Sequence, residues 1–325
     1  MNEVKKDDLV SVIVTTHNRC TLMKRAVESI QKQSYTDLEI IIIDDNSSDD
    51  TEVYANKLQK TDDRIKYIKI PQNESKGGNY ARNTGIENSR GAYIAFLDDD
   101  DVWHADKVQK QLEYLKKYSE LGAVSCEVRF VYDFGDKQYF DFSNTKLDKR
   151  PLGFFVNSWL NTTSTIMARK DVLIDVGMFD LSMPALQECE LSYRICLKYK
   201  VEILKDILVD YYIYPNISGQ ITSSLEKNKQ ALSRISCKYK NELSRLLPDQ
   251  MEARKLSIKR GEMLRYLRSG NKKEYRAAMR QVWKNTSKWE KMEYCLTYVL
   301  EYPQIIRLKC KLKEKRGKLN AVCDS

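Results

Sequence analysis

Residues 92–103, AYIAFLDDDDVW, decide how this chain is read. The apolar run 92–97 reads as a strand covered on both faces, because buried parallel strands are continuously apolar rather than alternating. It ends in four consecutive carboxylates, Asp98, Asp99, Asp100 and Asp101. Ligands of open α/β sheets lie beyond the carboxyl ends of the strands. Carboxylates packed this closely raise one another's pKa, so the cluster asks for a cation. Oxygen donors suit hard divalent ions, and Mg²⁺ is commonly held by one or two carboxylates plus substrate phosphates. The tetrad therefore points to a metal-bridged diphosphate. The competing reading is a solvated acidic turn that caps the next helix, since Asp is favoured there.

Upstream, 9–16 (LVSVIVTT) is a second apolar, β-branched run that breaks at His17-Asn18-Arg19. Leu22, Ala26, Val27 and Ile30 then follow helical spacing. A third run, 38–43, stops at Asp44-Asp45-Asn46-Ser47-Ser48, which has turn and cap chemistry. A helix over 51–60, a short strand over 65–70, a loop with Gly77-Gly78 and a helix over 80–88 complete the run-up. This alternation predicts a parallel, doubly wound sheet with tips near Thr15, Asp44 and Asp98 along one edge. Neither G-x-G-x-x-G nor G-x-x-x-x-G-K-[ST] is present.

Downstream, the pattern predicts a helix over 105–118, strands over 124–132, 164–168 and 201–214, a loop or hairpin over 133–151, and a helix over 188–200. From about 224 the chain turns basic and Gly-poor, and reads as four or five helices broken at Pro248, Ser269-Gly270 and Pro303. Residues 226–325 hold 26 Lys+Arg against 11 Asp+Glu, while the remainder holds 29 against 35. That asymmetry points to an acidic partner for the C-terminal part. The segment 305–318, IIRLKCKLKEKRGK, reads either as a basic amphipathic helix on anionic lipid or as a solvated terminal helix. No nucleic-acid motif favours that partner. The eight cysteines lack metal or redox spacing, so free thiols are expected. No apolar run approaches the roughly 18 residues of a membrane span, and residues 1–10 show no secretory core.

Taken in order, SVIVTTHNR, IIIIDDNSSDDT, GGNYARNTGI, FLDDDD and FD…QECELSYR resemble family-2 glycosyltransferases of the GT-A fold, most of all those that build bacterial capsule, O-antigen or other surface polysaccharide. The resemblance spans about 9–215. It implies a Rossmann-like, mostly parallel α/β sheet flanked by helices. The GT-A part would occupy 1–224, with a nucleotide-sugar half to about 103 and an acceptor half after it. A basic helical extension over 225–325 would follow. It also implies an inverting, metal-dependent transfer from a nucleotide-sugar, a UDP-sugar above all. The acceptor would be a hydroxyl of a glycan, such as a lipid-linked oligosaccharide. The location would be cytoplasmic or peripheral on the inner membrane face.

Residue roles follow by position. Thr15, His17, Asn18 and Arg19 would line the base and ribose. Asp45, or its neighbour Asp44, would read the uracil ring, as a carboxylate accepts well from a ring N–H; a helix cap is the alternative. Gly78, Arg82 and Asn83 would approach base and diphosphate. Asp100, assisted by Asp98, would hold Mn²⁺ or Mg²⁺, with Asp98 and Asp99 near ribose or sugar and the register open by one residue. Glu188 would be the base, with Glu190 in reserve. Here Gln187 and Glu190 depart from the usual E-D-x-[DE]-L pattern. Two residues apart on a helix, these glutamates point about 200° apart, so only one faces the site. Trp159 and the stretch around 161–165 would line the acceptor pocket, and 216–224 would close over the diphosphate. The other readings are a nucleotidyltransferase acting on sugar-1-phosphate and a non-catalytic nucleotide-sugar-binding partner of another glycosyltransferase.

Overall fold

The structure is a computed structural model and describes residues 8–143, 145–157, 160–215 and 224–315. Strands β1 (Val10–Thr16), β2 (Leu38–Asp44), β3 (Ile65–Lys69) and β4 (Tyr93–Asp98) lie parallel in the order β3-β2-β1-β4. Helices α1 (Cys20–Gln31), α2 (Thr51–Thr61) and α3 (Gly78–Glu87) make the crossovers. Thr15 pairs with both Ile43 and Asp98, and Thr16 with Asp44. The expected row of strand tips therefore exists.

The second half is mixed. It comprises β5 (Val102–Trp103), β6 (Leu121–Asp133), β7 (Gln138–Phe142), β8 (Met167–Arg169) and β9 (Lys200–Ile213). β8 is antiparallel to β4 and β6, β9 is parallel to β6, and β5 and β7 pair antiparallel with β9 and β6. The parallel expectation holds for the nucleotide half and for the long β6–β9 pairing, while β5, β7 and β8 run against it. β8 is entered from a short 3₁₀ turn at Thr163–Thr165, not from a crossover helix. A parallel neighbour needs such a crossover.

Alternate residues of each strand feed opposite faces. Val10, Val12, Val14, Ile40 and Ile42 meet Met23 and Ile30 of α1 and Leu112 of α4 (Lys107–Lys117). Ile13, Ile41 and Ile43 meet Ala81 and Ile86 of α3 and Leu191 and Ile195 of α6 (Gln187–Lys198). Two covered faces account for the unbroken apolar runs. Helix α5 (Lys170–Asp175) buries Val172 and Leu173 in the same second layer.

Six further helices follow among the described residues: α7 (Leu225–Lys238), α8 (Lys240–Ser244), α9 (Pro248–Arg268), α10 (Lys272–Gln281), α11 (Lys288–Leu296) and α12 (Tyr302–Lys315). Pro248 opens α9, and Gly270 at φ +74° follows its end. Phe154, Phe155 and Tyr193 pack on Ala231, Ile235 and Tyr239. Phe134 and Tyr139 of the β6–β7 hairpin pack on Met263, Tyr275 and Met279.

The lipid-surface reading of 305–318 meets a different environment. Ile305, Ile306 and Cys310 are buried in the hairpin cluster. Arg307 pairs with Asp136, Lys309 with Glu293 and Lys313 with Asp141. The apolar face and much of the charge of this helix are thus satisfied within the chain; 316–318 lie outside the described residues. No described helix is long and apolar enough to cross a membrane. No disulfide links the seven described cysteines.

Candidate active site

The tetrad splits by direction. Asp99 and Asp101 are buried. Asp99 accepts from Thr16 Oγ1 at 2.8 Å and Arg19 Nη1 at 3.1 Å. Asp101 accepts from Ser164 Oγ at 2.6 Å and the Tyr212 N–H at 3.3 Å. These two brace the turn, so Asp99 is not open to a ligand as the resemblance implies. Asp98 and Asp100 are part-exposed, and each engages one arginine through one carboxylate oxygen. Arg82 Nη2 reaches Asp98 at 2.6 Å, and Arg19 Nη1 reaches Asp100 at 3.1 Å. Burial, then the charge of Asp100, pushes Asp99 up to about 7. Burial, then Asp98, raises Asp100 too, and Asp101 lies well above the usual carboxylate range. Such a turn is short of positive charge.

No group of three His, Cys, Asp or Glu side chains gathers into a metal cage among the described residues. Two part-exposed carboxylates, Asp98 and Asp100, suit a divalent ion whose shell is completed by phosphates. The residues fit such an ion.

At the β1–β2 end, His17 Nδ1 lies 2.7 Å from the Asp45 carbonyl. Asn18, at φ +54°, donates its N–H to Ser47 Oγ and accepts from the Ser48 N–H. These two residues tie the tips together, beside half-buried Thr15. Asp44 is fully buried and accepts from the Ser47 N–H and Tyr67 Oη, each at 2.7 Å. It closes the turn after β2 and has no exposed surface. Asp45 differs: its Oδ1 is buried with no hydrogen-bond partner among the described residues. An unsatisfied buried acceptor is costly unless something else donates to it.

Gly77 starts α3 at φ +86°, and a Cβ on Gly78 would sit 2.9 Å from Arg82 Nη1. The bare backbone leaves room for that guanidinium. Arg82 is buried beside Asp98, and its Nε and Nη1 have no partner among the described residues. Two orphaned N–H groups on a buried cation suit an anion. Asn83 lies elsewhere: it donates to the Phe179 carbonyl and accepts from the Phe179 N–H, both at 2.9 Å. It latches a turn and does not face the opening.

The two glutamates of α6 separate as their spacing requires. Glu190 is fully buried; it accepts from Arg194 Nε and Nη2, from Lys238 Nζ at 2.7 Å and from Tyr239 Oη at 2.7 Å. Burial alone would raise its pKa, but Arg194, Lys238 and Tyr239 hold it below the usual value. It is committed to the fold and is not a reserve base. Glu188 is half-buried on the other side, within Coulombic reach of Arg82, Asp98 and Arg265. Burial first, and Asp98 with it, raises its pKa, which suits a proton acceptor.

A cavity of about 400 Å³ lies between the sheet and α9, with Asn161, Thr162 and Arg265 in its wall. Asn161 is held by the Cys126 carbonyl and Thr145. Trp159 and residues 216–223, expected at the acceptor pocket and over the diphosphate, lie outside the described residues.

The description "Glycosyl transferase family 2" matches residues 11–177, slightly over half the chain. The chain belongs to that family. Among curated relatives, it is 52% identical over 92 residues to a Campylobacter jejuni GalNAc(5)-diNAcBac-PP-undecaprenol beta-1,3-glucosyltransferase, covering 28% of this chain and 29% of the relative. It is 35% identical over 142 residues to an Escherichia coli UDP-Glc:alpha-D-GlcNAc-diphosphoundecaprenol beta-1,3-glucosyltransferase, WfaP, covering 44% and 48%. Each match spans less than half of the relative's own length. Two solved structures share the fold. One is Staphylococcus aureus TarS 1-349 in complex with UDP-GlcNAc (TM-score 0.56, 13% identity, covering 95% of this chain and 92% of that one). The other is a Pyrobaculum calidifontis mannosyltransferase with GDP-Man and Mn²⁺ (TM-score 0.58, 17% identity, covering 92% and 86%). The architecture is GT-A. In this family-2 transferase, Arg25 went unnoticed in the sequence. It donates to the Asp100 carbonyl at 2.8 Å and to Tyr214 Oη at 2.9 Å, and lies over the Tyr212 ring. Nothing in a helical LMKRAVE pattern marks it, because its partners are far along the chain.

Proposed function

We propose that the chain is an inverting, metal-dependent transferase that moves a sugar from a UDP-sugar to a hydroxyl of a lipid-diphosphate-linked glycan. The observation that carries this is that Glu188 lies within Coulombic reach of Arg82 and Asp98 at the strand tips while Glu190 is paired with Arg194. Asp45 Oδ1 accepts from the uracil ring N–H. Arg82 grips the diphosphate through the N–H groups left over from its pair with Asp98. Asp98 and Asp100 would hold Mn²⁺ or Mg²⁺, which supplies Lewis-acid neutralisation of the leaving diphosphate. Glu188 takes the proton from the acceptor hydroxyl as that oxygen attacks the anomeric carbon, and inversion follows from attack on the face opposite UDP. The relatives named for undecaprenyl-diphosphate acceptors support the acceptor class. The location then follows as the cytoplasmic face of a membrane.

The test is a UDP-release assay across UDP-sugars, with Mn²⁺ or Mg²⁺ and undecaprenyl-diphosphate-linked N-acetylglucosamine. One donor should turn over, EDTA should stop it, and the anomeric configuration of the product should be opposite to the donor's. Retention of configuration, or full turnover in EDTA, would sink the proposal. A thermal-shift panel identifies the donor beforehand, since a ligand at about 100 times its Kd adds about 2.7 kcal/mol.

A further inference from the structure

The cavity between the sheet and α9 has an unusual wall. Phe130, Tyr211 and Asn161 come from the sheet side, and Leu264, Arg265 and Arg268 come from α9. Arg265 and Arg268 are three apart on the helix and share a face. Burial, then the charge of Arg268, works against the Arg265 cation. The buried Nε of Arg265 has no hydrogen-bond partner among the described residues. Arg268 donates from Nε to Tyr302 Oη at 3.2 Å, a neutral partner. Two like charges held together without a matched anion are unfavourable unless a ligand brings one. Arg265 feels Glu188, and Arg268 lies within reach of Tyr211, which also feels Asp98 and Asp100. The pair therefore stands on the α9 wall of the cavity, within electrostatic reach of Glu188.

We propose that Arg265 and Arg268 form an anion subsite for the acceptor, binding the phosphate group on the first carbon of the sugar whose hydroxyl Glu188 deprotonates. This rests on the transferase reading above and deepens it. A sugar whose phosphate sits at Arg265 then brings its hydroxyl to Glu188, the carboxylate whose charge Arg265 feels. The acceptor sugar is then the one directly attached to the lipid diphosphate, and the C-terminal extension is the part of the chain that recognises it.

The probe is farnesyl-diphospho-N-acetylglucosamine, compared with the uncharged farnesyl N-acetylglucosaminide, titrated into the full chain with saturating UDP and Mn²⁺. Wild type should bind the charged probe at least about tenfold more tightly. R265Q and R268Q should each weaken it about tenfold, the double variant should abolish the preference, and R265K should retain part of it. UDP affinity and Tm should stay at wild-type values, which excludes misfolding. Equal binding of both probes by wild type, or wild-type binding of the charged probe by R265Q/R268Q, overturns the subsite. So does a fall in UDP affinity in step with the probe, which would put the arginines on the donor diphosphate. Failure of wild type to bind UDP at all overturns the transferase reading instead. The charge preference, read without UDP, then still decides the subsite.

Discussion

Exchanging each α6 glutamate for glutamine separates chemistry from architecture. Glu190 has no exposed surface and serves two cations and a phenol. An amide there offers one acceptor oxygen and turns an NH₂ toward Arg194 or Lys238. Unpairing a buried ion typically costs 3–5 kcal/mol. Lys238 is 40% exposed and already reaches Asp180 at 2.9 Å, so it can turn to that partner and to water. The loss then falls at the low end, about 3 kcal/mol, which in a domain of this size lowers Tm by roughly 6–12 °C. Residual activity per folded molecule should remain. Glu188 makes the opposite case. Its ionised form is disfavoured by burial and Asp98, so E188Q should leave Tm unchanged or raised. Its turnover should fall about 10²–10⁴-fold, the usual worth of a general base. Differential scanning fluorimetry and UDP release on the same preparations read both axes. Normal turnover by E188Q, or a dead E190Q with wild-type Tm, would refute the assignment.

Three further outcomes follow from the same contacts. D45A should weaken UDP about tenfold by isothermal titration, one hydrogen bond's worth, with little change in Tm, because Oδ1 holds nothing in the fold. Lys107 is fully buried over the Trp103 ring, and burial depresses its pKa to about 7. Below that pH both folded and unfolded chains carry the proton and the full penalty stands; above it the folded chain sheds the proton, so stability climbs toward pH 10. Urea denaturation at pH 6 and pH 9 should show wild type gaining on K107M, and parallel curves would contradict the depressed pKa. I305A should lose about 2–5 kcal/mol, because Ile305 is completely buried in the hairpin cluster. Vesicle flotation of that variant should match wild type if lipid contact does not use this face.

Much of the nucleotide half was legible because its signals are local. Each buried strand announced itself by an apolar run, and each ended in the polar residues that the row of tips requires. Register within the tetrad was not legible. Which carboxylates turn inward depends on Thr16, Ser164 and Tyr212, contributed by three distant stretches. Asp44 and Asp45 were indistinguishable for the same reason until Tyr67 claimed one of them. The glutamate pair was half legible: helical periodicity separated the two side chains, but only α7, through Lys238 and Tyr239, decides which is inward. The terminal amphipathic pattern was real, yet amphipathicity does not say whether the apolar stripe meets lipid or protein. Phe134 and Tyr139 answer that question here.

The docking of α9 and α12 on the β6–β7 hairpin has an evolutionary corollary. The residues we propose for base and diphosphate are encoded before residue 103, whereas one wall of the cavity is encoded after residue 247. Recombination downstream of the sheet could therefore retarget such an enzyme while leaving its donor preference intact. The exchanged piece would have to bring residues 134–139 along, since otherwise aromatic rings on the hairpin would meet a foreign helical surface.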